Sequence, residues 1–95
     1  MTRQYIAGEL SIWLAQLQAT APDAGSACAF VRLRLDAESA PFEALPTIAL
    51  RALTLVRVLC QDSLTRGDLR AFSRQATEAA ELRGFAVAAG LLVED

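Results

Sequence analysis

Histidine and lysine are both absent from this 95-residue sequence, and with them goes most of the usual catalytic repertoire. Without histidine there is no side chain whose ordinary pKa lies near neutrality, the group that general acid–base mechanisms most often use. Without lysine there is no Schiff-base former. A serine or cysteine nucleophile would need a carboxylate as its only activating base. Cys60-Gln61-Asp62 comes nearest to such a pair, but helical neighbours in sequence point about 100° apart. The Glu-x-x-His motif of carboxylate-bridged iron bundles cannot be written with these residues. The five glycines are scattered, with no G-x-G-x-x-G or Walker loop among them. No catalytic residue, no cofactor-binding residue and no metal ligand set is therefore expected, and the chain reads as a non-enzyme.

Other absences narrow the partner classes. There are two cysteines, Cys28 and Cys60, in apolar stretches and without C-x-x-C spacing. They read as small core residues rather than a disulfide or half of a zinc site. No apolar leader or small-residue cleavage site opens the sequence, so a cytoplasmic location is expected. The longest uncharged apolar run, Gly84 to Val93, is about half of the roughly 20 residues a spanning helix needs, which argues against a membrane. All nine basic residues are arginine and the net charge is −2. A mildly acidic chain is poorly suited to neutralising phosphates, so nucleic acid is disfavoured as a partner.

What is present is apolar surface. Fully 54% of residues are apolar and mean hydropathy is +0.32, above the roughly 45–50% of ordinary domains. Much of the surplus is alanine. One core is the limit at this length, so residues 1–95 read as a single domain whose remaining apolar area invites self-association or another protein.

Periodicity predicts an all-α fold, a compact four-helix bundle with helices at roughly 3–20, 26–38, 45–63 and 68–90. In the first, Ile6, Leu10, Trp13, Leu14 and Leu17 share one face, with Tyr5 and Ile12 on a neighbouring stripe. Thr2 can cap it, and Pro22 ends it. The second is ambiguous. Val31 to Leu35 alternates as a strand would, while Ala27, Cys28, Val31 and Leu35 form a helical stripe; alanine-rich flanks and the lack of a partner strand favour helix. Pro46 suits the first turn of the third helix, which is apolar nearly all round and should be central. Gly67 and Asp68 form a turn and cap before the fourth. There Leu69, Phe72, Ala76, Ala79, Ala80, Ala86 and Gly90 suggest a close-packing face, with Leu82, Phe85 and Ala89 on another side. Arg66, Arg70 and Arg74 lie along a polar side continued by Glu78 and Glu81, and read as a self-paired surface.

The stretch LTLVRVLCQDSLTRGDLRAFSRQATEAAEL, Leu53 to Leu82, resembles a single tetratricopeptide-type helical hairpin. Leu59 lies in its first helix, Gly67-Asp68 in its turn, and Phe72, Ala76 and Ala79 at its packing positions. The resemblance covers about a third of the chain. It departs from the pattern where Val56 and Ser63 hold the usual Trp and Tyr positions and Cys60 the small one, and no 34-residue repeat precedes it. It implies a protein-binding role. Thr2 to Ile12 also resembles the opening of a helix-turn-helix, but Trp13-Leu14-Ala15-Gln16-Leu17 lacks the polar residues of a recognition helix.

The function expected is a protein-interaction or adaptor module that self-associates, as a homodimer, or binds another protein. The side chains expected to make contact are Tyr5, Ile12 and Trp13 on the first helix and Leu82, Phe85, Leu91 and Leu92 near the C-terminus. Alternatives are a bundle that binds a small apolar ligand in a cavity and, with less support, a helix-turn-helix regulator.

Overall fold

A computed structural model describes residues 2–93, in which four α-helices follow one another: α1 (Arg3–Ala19), α2 (Ala24–Ser39), α3 (Leu45–Thr65) and α4 (Leu69–Ala88). A 3-10 turn, Phe42–Ala44, leads into α3. No strand occurs among the described residues. The alternating run Val31 to Leu35 is helical, because its neighbours can continue a helix and no second strand exists to pair with it.

The chain's own polar residues set the helix ends. Thr2, Asp23 and Asp68 each accept a hydrogen bond from the backbone amide three residues on, the amides of Tyr5 (3.1 Å), Ser26 (2.7 Å) and Ala71 (3.1 Å). Each satisfies one of the orphan donors of a helix N-terminus. Two glycines close helices in the left-handed region, Gly67 at φ 76° and Gly90 at φ 77°. In both cases the following amide reaches back to a carbonyl of the last turn, Asp68 to Ser63 (2.9 Å) and Leu91 to Ala86 (2.8 Å), the Schellman arrangement. Asp68 thus ends one helix and caps the next. Gly90 corrects an expectation: it stops α4 and is exposed, where it was expected on the packing face.

Helices α1 and α2 form one antiparallel pair and α3 and α4 another. The two pairs share one core. Helix α3 touches every other element, as its all-round apolar character predicts. Helix α4 also runs beside α1: Trp13 faces Phe85 with ring centroids 6.3 Å apart, and Thr20 Oγ1 donates to Glu78 at 2.8 Å. The bundle is flattened, 41 × 29 × 16 Å. A shape only about 16 Å deep leaves one side of each helix in water.

Two helices are rotated relative to the stripes expected of them. In α2 the buried residues are Ser26, Phe30, Leu33 and Ala37, while Cys28 and Leu35 are exposed. Phe30 and Leu33 decide the rotation, since hiding a phenyl ring and an isobutyl group gains more than hiding the Cys28 thiol and the Leu35 side chain. In α4 the inner side carries Gln75, Leu82 and Ala86, with Phe72, Ala79, Phe85 and Ala89 partly covered. Leu69 and Ala80, expected inside, are exposed. A stripe drawn through small residues leaves the large ones out; the helix turns to bury Leu82 instead.

Candidate interaction surface

Of the seven residues expected to make contact, the structure divides five from two. Tyr5 and Ile12 stand out from α1, 54% and 53% exposed. Leu82 and Leu91 are in the core, and this corrects the expectation for them. Leu82 is carried inward by the rotation of α4, and Leu91 by the Schellman turn at Gly90, which folds the chain back over the helix end. Trp13, Phe85 and Leu92 are half-buried and pack against the same core. Trp13 and Phe85 meet each other across the α1–α4 seam at an interplanar angle of 34°, so most of their apolar area is already used within the chain.

The outer side of α1 is therefore the part of that set left free. From Tyr5 to Ala19 its exposed residues are Tyr5, Gly8, Ile12, Ala15, Gln16 and Ala19, none of them charged. The inner stripe, Ile6, Leu10, Leu14 and Leu17, is fully used in the core. Polar groups on the flanks of α1 are also engaged: Ser11 donates to Glu38 at 2.9 Å, and Arg3 pairs with Glu43 at 3.6 Å and lies over the Phe42 ring at 4.9 Å. The helix passes uninterrupted through Gly8, so residues 3–12 contain no helix-turn-helix bend.

The arginine row on α3 and α4 is largely self-paired. Arg66 meets Asp62 at 3.2 Å, Arg74 meets Glu78 at 3.8 Å, and Arg74 donates to the Thr20 carbonyl at 3.4 Å. The cysteines are free, and Cys28 is exposed, contrary to the core position expected for it. Cys60 is half-buried with Sγ 3.7 Å from the Phe72 carbonyl. Among the described residues no three Cys, Asp or Glu side chains converge where a metal ion could be held. No helix there is long and apolar enough to cross a membrane. The recess that reaches the core between Leu17, Phe30, Val56 and Gln75 has about 10 Å³, room for at most one water.

The sequence carried no signal for two buried polar residues, Ser63 and Gln75, because isolated polar residues in amphipathic helices read as surface. No family model, curated protein or solved structure matches the chain. The tetratricopeptide-like hairpin thus rests on α3 and α4 alone, which do form an antiparallel pair about Gly67.

Proposed function

We propose that this chain is a non-enzymatic interaction module that self-associates through the outer side of α1. The observation that carries the reading is the face from Tyr5 to Ala19, whose fully exposed residues are all uncharged, with two large apolar side chains more than half exposed among Gly8, Ala15 and Ala19. Charged side chains are what ordinarily keep a helix face in water, and this one has a single one, the half-buried Glu9 at its edge.

A two-fold pairing suits the spacing. If two copies of α1 cross antiparallel at Ile12, each Tyr5 lies seven positions before the crossing and meets Ala19 seven positions after it. Large then faces small at both ends, as an isologous contact requires. Glycine and alanine allow the axes to approach near the close end of the usual 8–10 Å separation. A single helix pair lies at the small end of specific interfaces, so a reversible dimer of modest affinity is expected.

Light scattering across a concentration series tests this, with Ile12→Glu as the variant. A dimer that dissociates on dilution, and a helical but monomeric Ile12→Glu chain, support the reading. Ile12 is exposed, so the substitution should not unfold the protein. A wild-type chain that stays monomeric at its highest soluble concentration sinks it.

A further inference from the structure

We propose that the groove between α2 and α3 docks an acidic amphipathic helix of another protein. Helices α2 and α3 pack less closely than the two helices within either pair, and they leave an open groove of about 670 Å³. Ala29 and Leu33 of α2 and Leu55 of α3 give it an apolar floor, and Arg32 and Arg51 stand on its opposite walls with Asp36 near one end.

The charges select the occupant. Arg3, Arg34, Arg66 and Arg74 each have a carboxylate within 4 Å. Arg32, Arg51, Arg57, Arg70 and Arg83 have none at that distance among the described residues, and of these Arg32 and Arg51 line the groove together. No acidic residue occurs in α3 between Leu45 and Gln61, so Arg51 and Arg57 lack a neighbour of opposite sign on their own helix. A partner that covers Ala29 and Leu55, the partly exposed apolar residues of the floor, withdraws both groove arginines from water. Asp36 can neutralise one; the other needs a carboxylate from the partner, since an unpaired buried guanidinium is strongly unfavourable. Hence the occupant is acidic.

Shape selects a helix. The groove follows α2 from Gly25 to Asp36, roughly 16 Å or three helical turns at 1.5 Å per residue. Apolar anchors at i and i+4 would reach its floor, with acidic residues flanking them to meet the two walls. The outer side of α1 offers one carboxylate at its edge, the half-buried Glu9, so a second copy docking by that surface would not flank an apolar stripe with acidic residues on both sides. The two surfaces are independent.

The test is selection from a displayed library of helical peptides of about four turns, with an apolar stripe fixed and its flanking positions randomised. Enriched peptides should carry Asp or Glu beside the stripe. They should slow alkylation at Cys28, which lines the groove and is exposed, read by peptide mass. Arg51→Glu should weaken them about tenfold while leaving the helical signal intact. Replacing Arg32 and Arg51 together by Glu should shift the enriched flanking residues to Lys and Arg. Peptides without acidic bias, unchanged Cys28 reactivity, or binding indifferent to Arg51→Glu would overturn the proposal. So would loss of self-association in Arg51→Glu, which would place a second copy in the groove.

Discussion

Ser63 on α3 and Gln75 on α4 lie 2.7 Å apart, side chain to side chain, both closed off from solvent. The same amide position of Gln75 faces the carbonyls of Leu59 at 3.0 Å and Ala71 at 3.2 Å. Acceptors on that side require the nitrogen there, so Gln75 Nε2 is the donor, its two hydrogens shared among Ser63 Oγ and the carbonyls of Leu59 and Ala71. A neutral hydrogen bond contributes about 1 kcal/mol net, and a stranded partner costs about 1–3 kcal/mol. Gln75→Ala, which adds a cavity to the lost bonds, should destabilise by roughly 2–3 kcal/mol. Ser63→Ala should cost only about 1 kcal/mol, because the amide keeps its two carbonyls. Urea denaturation of both single variants and the double should give a coupling of at least about 0.5 kcal/mol. Strict additivity would show that the contact contributes nothing of its own.

That pair also marks the boundary of what the residues alone disclose. Helix existence was legible because caps and breakers are local: Thr2, Asp68, Gly67 and Pro46 each act within one turn of themselves. The inner stripe of α1 was legible because four large side chains at helical spacing leave one choice of face. In α2 and α4 many positions are alanine or glycine, which fit either side, and the rotation is set by a few bulky residues meeting partners on other helices. Phe30 and Leu82 find their place only once those partners exist. The same holds at the candidate surface. Tyr5 and Ile12 were separable from the core by periodicity, whereas Leu91 could be assigned only after Gly90 was seen to reverse the chain.

Trp13 and Phe85 join α1 to α4, and their contact should be visible optically, since Trp13 is the sole tryptophan. Phe85→Ala removes one wall of the indole's surroundings. Native emission should shift to the red, and stability should fall by roughly 1–3 kcal/mol for a half-buried ring with an aromatic neighbour. Phe85→Leu, which keeps apolar volume, should recover part of the stability but less of the emission shift. If Phe85→Ala changed self-association at constant stability, the ring would belong to the interface and not to the seam.

Two glycines, Gly84 inside α4 and Gly90 just beyond its end, should respond to alanine in opposite directions. Gly84 lies inside the helix with open space where a Cβ would go. Gly84→Ala should therefore stabilise by about 0.5–1 kcal/mol, chiefly by restricting the unfolded chain. Gly90 also has open space for a Cβ, but its φ is +77°. Gly90→Ala should cost about 1–2 kcal/mol, the penalty of a left-handed L-residue. Thermal melts of the two variants provide the comparison. Equal effects would mean that the Schellman turn does not persist in solution.

Asp23 caps α2, and its carboxyl is held below the ordinary value of 3.8. The principal cause is the Ser26 amide, which donates to it at 2.7 Å; the Ser26 hydroxyl and the Gly25 amide add to this, with attraction from Arg66. Slight desolvation opposes them. A depressed folded-state pKa means that the folded chain favours the ionised form more than the unfolded chain does. The linked stability is fully present above pH 3.8 and is lost as pH falls through the lower, folded value. Asp23→Asn retains an acceptor for the Ser26 amide but removes the charge, so the remaining carboxylates cancel in a comparison with wild type. Urea melts at a series of pH values should show wild type the more stable at neutral pH, with the difference shrinking only below 3.8. A difference that does not change across that window would show that Asp23 caps the helix through its shape alone, and that its charge has no part in holding the α1–α2 turn.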